Sequence, residues 1–303
     1  VISMQFRNFK QALLSLAIVG LLGTAATGFA AERRSSKPEV MYPDATREEP
    51  KAKGSTKVQK ALQALITTYN CATSEPDPKS CKGPKQKDDE QVKADLASAR
   101  TKADELIANP ASTDYDKALA AQLASQAAYN LDDNPGTIAY LKQAIQLNAL
   151  DNNNHYQLMY MLTQVQMQED QYTEGLATLD RYLAETKSKR PEDLALKGQA
   201  LYQAERYAEA IPALKQAIEA SPEPKDNWLQ LLLASYAEAG QSAEAIQLAE
   251  KIAAKSPNDK KAQMNLATVY LQADKLEQAA AVLEKIRASG QMTDEKDYRQ
   301  LYV

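Results

Sequence analysis

Phenylalanine is almost missing from this chain. Its three copies, Phe6, Phe9 and Phe29, all fall within the first thirty residues, and Trp228 is the one tryptophan. A core beyond residue 30 must therefore be packed from Leu, Ala, Ile, Met and Tyr. That palette suits helices better than sheets, which favour β-branched and aromatic side chains. Glycine is scarce as well: Gly20, Gly23 and Gly28 belong to the first thirty residues, leaving seven of the ten for everything after them. Little is left for phosphate-cradling loops or tight hairpins, and neither GxxxxGK[ST] nor GxGxxG occurs. One histidine and two cysteines cannot build a zinc site of ordinary spacing. The histidine, His155, stands in "LDNNNHYQL", which reads as a linker with a surface or capping imidazole. The pairs Asp88-Asp89 and Asp132-Asp133 read as turn or first-turn carboxylates that complement a helix dipole. An enzyme is disfavoured, and no metal or cofactor is expected.

Charge of one sign is also lacking. Thirty-six Lys and Arg stand against forty Asp and Glu, a formal net charge of −4. There is no basic footprint for nucleic acid. The uncharged run "ALLSLAIVGLLGTAATGFA" follows Arg7 and Lys10 and ends in small residues, Gly28 and Ala30, suited to cleavage before Ala31. Residues 1–30 are therefore expected to be an export signal, with Met4 as the initiator. The run is also just long enough to span a bilayer, so a retained anchor is the alternative. The first cysteine is Cys71, which leaves no acceptor for a bacterial lipid anchor. Arg33-Arg34 follows the apolar run instead of preceding it, so the twin-arginine route is not indicated. No second membrane span is expected.

Residues 31–54, "AERRSSKPEVMYPDATREEPKAKG", are polar, charged and rich in proline, without apolar periodicity; they read as a flexible, disordered leader. From Ser55 or Thr56, a plausible N-cap, Val58, Leu62, Leu65, Ile66 and Tyr69 recur at helical spacing. A second helix carries Val92, Leu96, Ala99, Ala103, Leu106 and Ile107 on one face and ends before Pro110. Residues 55–110 thus form a helical pair around the loop "CATSEPDPKSCKGPKQK". In an exported protein, Cys71 and Cys81 are expected to form a disulfide, with free thiols or a redox pair as the alternatives.

From residue 115 a longer period sets in. "TIAYLKQAI", "EGLATLDRYL", "EAIPALKQAI", "EAIQLAEKI" and "QAAAVLEKI" begin at corresponding places. Their small residues, Thr137, Gly175, Ala210, Ala245 and Ala279, lie 38, 35, 35 and 34 residues apart. Small side chains at fixed intervals allow two helices to approach closely. Residues 115–290 resemble about five units of the tetratricopeptide repeat, a helix–turn–helix of 34 residues. The third unit matches best, through Gly198, Tyr207, Ala210, Leu214, Ala217 and Pro222. Tyr182 and Ile252 stand where the second helix of the family normally has alanine, so looser packing is expected there. The implied fold is all-α, a right-handed α-solenoid of helix hairpins. "TDEKDYRQLYV" then reads as the start of a further repeat helix, so that residues 291–303 belong to a truncated unit and the natural protein is expected to continue.

In this family the first helix of each unit lines a concave face. The resemblance assigns to that face Gln122, Gln126, Tyr129 and Asn130, then Tyr160, Gln164, Met167 and Gln168, then Gln199, Tyr202 and Gln203. Later units add Gln230 and Glu238, then Met264, Thr268 and Gln272. Lys and Arg are nearly absent from this set, so the carboxylate clamp of the best-known peptide grooves is missing. Amides and tyrosines suit a neutral extended or helical segment; the bland alternative is that the glutamines are merely soluble helix formers. The phrases "YPDATREEPKA", "QEDQY", "KGQALYQAERY", "SPEPKDNW" and "DEKDYRQLY" resemble an exported repeat family encoded beside TonB–ExbB–ExbD genes of Gram-negative bacteria. That resemblance implies a periplasmic protein–protein interaction scaffold or adaptor that docks cell-envelope proteins, TonB-system components among them, as an accessory of TonB-dependent uptake. The alternative is an assembly or quality-control factor for outer-membrane or peptidoglycan machinery.

Overall fold

A computed structural model describes residues 40–73, 81 and 88–292. The expected export signal, the leader up to residue 39, most of the cysteine loop and the expected helix after residue 292 lie outside the described residues. Within them the chain forms twelve α-helices and no strand, as the Leu-, Ala- and Gln-rich composition requires. The contacts divide the chain into two units, the first ending at Ser188 and the second beginning at Lys189.

The first unit holds α1 (Gln59–Thr73), α2 (Asp89–Ala108), α3 (Asp114–Asn130), α4 (Asn134–Leu147), α5 (Asn152–Gln168) and α6 (Tyr172–Thr186). Helix α1 begins a few residues after Ser55, whose hydroxyl accepts from the Lys57 amide at 3.3 Å. Asp88 caps α2 by accepting from Gln91 N, and Thr113 and Asp116 form a reciprocal capping box at α3. Leu65 and Tyr69 of α1, Leu96, Ala99, Ala103 and Leu106 of α2, and Leu123 and Ala127 of α3 share one core. The N-terminal pair is thereby packed onto the first repeat hairpin. Cys71, in α1, is joined to Cys81 by a disulfide with Cα atoms 5.6 Å apart.

The second unit holds α7 (Pro191–Gln203), α8 (Tyr207–Ala220), α9 (Asp226–Glu238), α10 (Ser242–Lys255), α11 (Lys260–Gln272) and α12 (Leu276–Ala288). Ala195, Ala217 and Trp228 form a core across α7, α8 and α9. Ala267, Leu283, Ile286 and Met292 form another at its far end.

Every hairpin turns in the same way. Asp132, Asp170, Glu205, Gly240 and Asp274 have positive φ, between 55° and 71°, and each follows the first helix of its hairpin. The next amide reaches back five residues to a carbonyl: Asp133 N to Ala128 O, Gln171 N to Gln166 O, Arg206 N to Leu201 O, Gln241 N to Tyr236 O and Lys275 N to Tyr270 O, at 2.8–2.9 Å. This is the Schellman closure, which satisfies carbonyls that the helix end would otherwise leave bare. The turns recur with the same 38, 35, 35 and 34 spacing as the small residues, five positions ahead of each.

Those small residues are buried at the hairpin contacts: Thr137, Ala210 and Ala279 have no exposed surface and Ala245 is 1% exposed. Two glycines do different work. A Cβ at Gly198 would fall on the Leu214 side chain of the partner helix, with Leu214 Cδ2 at 2.6 Å and its backbone nitrogen at 3.3 Å. A Cβ at Gly175 would meet chiefly the terminal methyl of Met167, which can swing away. Alanine gains about 1 kcal/mol of helix propensity over glycine at either site, whereas overpacking costs about 1–3 kcal/mol. Gly198→Ala is therefore expected to destabilise by up to about 2 kcal/mol net of that gain, and Gly175→Ala to be neutral or stabilising by up to about 1 kcal/mol. Urea unfolding of the two variants checks this; equal effects would contradict the close approach of α7 and α8.

Candidate functional site

The turns provide a register for the first helix of each hairpin. Ten residues before the left-handed position stand Gln122, Tyr160, Gln230 and Met264; six before stand Gln126, Gln164, Gln199 and Thr268. Three before stand Tyr129, Met167 and Tyr202, and two before stand Asn130, Gln168, Gln203, Glu238 and Gln272. The residues expected at the concave face therefore fall into columns. Gln126, Gln164, Gln199 and Thr268 are all half-buried, while the same register in α9 holds the buried Ala234. Tyr129, Tyr160, Gln168, Gln230 and Met264 are also half-buried, and Asn130, Glu238 and Gln272 are exposed.

Four expected lining residues are instead inside the protein: Gln122, Met167, Tyr202 and Gln203 are 2–4% exposed. Gln122 spends its amide on the neighbouring hairpin, donating from Nε2 to Asn154 Oδ1 of α5 at 3.0 Å. Met167 turns toward α6, where Gly175 leaves room for its methyl. Tyr202 turns toward α8 and meets Tyr207 edge to face, with ring centroids 5.2 Å apart; burial raises its phenol above the ordinary range. Gln203 is enclosed in the last turn of α7 beside the hairpin turn. Gln230 also ties neighbouring hairpins together, accepting from Asn265 Nδ2 of α11 at 2.7 Å. Part of the amide inventory thus holds repeat to repeat.

A second site lies in the first unit and is occupied. Residues 40–54 were expected to be flexible, yet they are laid along the hairpin of α5 and α6 and on to the start of α3. Tyr42, 7% exposed, inserts against Tyr156 and Tyr182 with centroids 5.1 and 6.0 Å away, edge to face. Tyr182 in turn meets Tyr156 at 6.2 Å and Tyr160 at 5.8 Å. Burial, reinforced by the Glu185 carboxylate, raises the Tyr156 phenol above the ordinary range. The position expected to pack loosely, Tyr182, has no exposed surface, because the strap brings an aromatic ring to fill the space. Pro43 follows in a turn closed by Ala45 N on Tyr42 O at 3.3 Å, and proline fixes the φ that such a turn needs.

Polar contacts hold the remainder. Met41 N donates to Asn153 Oδ1 at 3.1 Å. Thr46 N and Oγ1 donate to Glu185 O at 2.8 and 3.2 Å, satisfying a carbonyl in the last turn of α6. Arg47 donates from Nε to Asn148 Oδ1 at 2.7 Å and from Nη1 to Asn152 Oδ1 at 2.5 Å. Its Nη2 donates to Asn148 O at 3.1 Å and Leu150 O at 2.8 Å. Asn148 is the C-cap of α4, so the guanidinium lies where the helix dipole favours a cation. Glu49 supplies the opposite charge to the start of α5, accepting from Asn152 N at 3.2 Å, and Asn152 Nδ2 donates to Arg47 O at 3.2 Å. Further on, Thr113 Oγ1 donates to Lys53 O at 3.0 Å and Ser55 N to Asp116 Oδ2 at 2.9 Å.

The run Asn152-Asn153-Asn154 is not linker: it forms the first turn of α5, with a separate task for each amide. Asn152 holds Arg47, Asn153 holds Met41, and Asn154 accepts from Gln122 and donates to the N-cap Asp151 at 2.6 Å. A helix start needs one capping side chain, so three consecutive asparagines after an aspartate carried a signal beyond capping. His155 follows them inside α5 and is 1% exposed, not on the surface. Neither ring nitrogen has a hydrogen-bond partner among the described residues.

Comparison with known proteins defines the class. Tetratricopeptide-repeat family models match residues 160–224 and 195–259, and another tetratricopeptide-repeat model matches 236–302. The chain therefore carries tetratricopeptide repeats, a fold whose general use is to hold proteins together rather than to catalyse. A tetratricopeptide repeat protein from Parabacteroides merdae superposes with a TM-score of 0.50 at 14% identity, over 76% of this chain and 80% of that one. MamA from Desulfovibrio magneticus RS-1 gives 0.49 at 20% identity, over 59% and 98%. YrrB, described as a TPR protein with an unusual peptide-binding site, gives 0.45 at 18% identity, over 55% and 84%. The first of these similarities shows the all-α repeat fold. No curated protein matches the sequence. Among the described residues, no helix is long and apolar enough to cross a membrane.

Proposed function

We propose that this chain is an exported, non-catalytic docking scaffold that works in the periplasm of a Gram-negative bacterium as an accessory of TonB-dependent uptake. The observation that carries the docking part is the recurrence of one register, Gln126 and Gln164 in the first unit and, separately, Gln199 and Thr268 in the second, half-buried at matching places on the first helices of their hairpins; Ala234 takes that place in α9. Amides in such places both donate and accept, which suits the main chain of an extended or helical segment. The export signal expected at residues 1–30 supports the periplasmic part, and the TonB link rests on the resemblance of the repeat phrases.

Gln164→Glu combined with Gln199→Glu tests the docking face. Each change replaces a donor amide with a carboxylate that can only accept, and a ligand carbonyl left unpaired on desolvation costs about 1–3 kcal/mol. Envelope crosslinking followed by mass spectrometry should recover TonB-system proteins with the wild type and a yield lowered tenfold or more with the double variant. Unchanged recovery would remove the amide face from the reading, and recovery of outer-membrane or peptidoglycan assembly proteins alone would remove the TonB link.

A further inference from the structure

The strap is a ligand seated on its own receptor. Its contacts are those of peptide recognition: a buried aromatic anchor, a guanidinium held by four acceptors, and main-chain hydrogen bonds between them. The seat is made from helix ends, with Asn148 O and Leu150 O accepting on one side and Asn152 N donating on the other. Such groups present fixed dipoles whether or not the strap is there. The strap contributes no helix or strand of its own.

We propose that this seat is a peptide-recognition site that selects a non-helical segment, turned after its tyrosine, with that tyrosine five residues ahead of an arginine, filled in cis by Tyr42 and Arg47 and open to a like-patterned segment in trans. This gives the docking scaffold a second, sequence-reading site distinct from the amide register. Specificity comes from two features a generic segment lacks. The Tyr156 and Tyr182 rings leave a slot for one aromatic ring, with edge-to-face geometry that favours such a partner. The Asn148–Asn152 turn offers four acceptors to the three nitrogens of one guanidinium, a set that a lysine ammonium, with three donors on one nitrogen, cannot satisfy as well. The intervening Thr46 amide sets the distance between them by bonding to Glu185 O.

The test uses the full chain and a fluorescein-labelled peptide, VMYPDATREEP, corresponding to residues 40–50. Wild type, with its seat filled, should show little capture by anisotropy. Tyr42→Ala combined with Arg47→Ala vacates the seat and should bind at least tenfold more tightly. A peptide with alanine in place of the arginine should lose tenfold or more, and adding Asn152→Ala to the vacated chain should lose as much while leaving the helical circular dichroism unchanged. No capture by the vacated, folded chain, or equal capture of the alanine peptide, overturns the proposal, and so does equal capture by wild type and the vacated chain. Hydrogen exchange on wild type covers the case in which the double variant does not fold. The Thr46 amide should exchange at least tenfold faster than amides in the middle of α5, because the strap opens without unfolding the hairpin. Equal protection would make the strap a fixed part of the fold and sink its exchange in trans. The crosslinking result for Gln164 and Gln199 is independent of these outcomes.

Discussion

Tyr182→Ala is expected to lower the unfolding free energy by about 3–5 kcal/mol, the range for truncating a large aromatic side chain in a core. The side chain has no exposed surface and touches three other tyrosines edge to face. Edge-to-face pairs add roughly 0.5–1.5 kcal/mol each beyond area burial, though not additively when they share a ring. The ring is held between α5, through Tyr156 and Tyr160, and the strap, through Tyr42, so its removal opens a cavity that neither side can collapse into alone. One of the corresponding positions in the second unit, Ile252, is only half-buried, and Ile252→Ala should cost less, under about 2 kcal/mol. Urea unfolding of both variants measures the difference. Tyr182→Ala within 1 kcal/mol of wild type would mean that the aromatic cluster is not what holds the strap.

Acid should weaken this protein through its single histidine. Burial first, then the positive charges of Arg47 and Arg181, lower the His155 pKa from 6.5 to about 4. The folded state therefore keeps the ring neutral while the unfolded chain takes up a proton below pH 6.5. His155 makes no difference above the unfolded pKa; as the pH falls from 6.5 toward 4, stability is progressively lost, and below about 4 the loss levels off. At 1.36 kcal/mol per pKa unit the full loss is about 3 kcal/mol. His155→Leu removes the proton site and should be less sensitive to acid than wild type. Comparing urea midpoints at pH 7 and pH 4.5 for both proteins isolates this contribution from that of the carboxylates, which both share. The same loss in both would show that His155 does not titrate in this window.

Close packing made the repeat frame legible. Thr137, Gly175, Ala210, Ala245 and Ala279 announce it because a hairpin contact admits nothing larger, and all five are buried. The hairpin turns were hidden by their chemistry. Left-handed backbone is signalled by glycine, but Asp132, Asp170, Glu205 and Asp274 adopt it here, with Schellman hydrogen bonds offsetting the strain of a Cβ at positive φ. The seat was hidden by distance. Arg47 and Asn152 lie 105 positions apart, and a polar, proline-rich stretch gives no periodicity from which docking could be inferred. One aromatic ring and a row of bonds to helix ends suffice to place it. Of the residues expected to line a groove, Gln122, Met167, Tyr202 and Gln203 are turned inward. Three residues before the turn, a helix at 3.6 residues per turn directs Met167 and Tyr202 toward the second helix of the hairpin. Gln122 is lost to the face for another reason, its bond to Asn154.

Backbone NMR assignment tests the hairpin frame most directly, since chemical shifts and three-bond HN–Hα couplings report φ residue by residue. Asp132, Asp170, Glu205, Gly240 and Asp274 should each show positive φ, with helical shifts on both sides and none of the five continuous with its neighbours. Strand shifts between residues 114 and 288, or uninterrupted helix through any of those five positions, would contradict the repeat of stacked hairpins on which both docking sites are built.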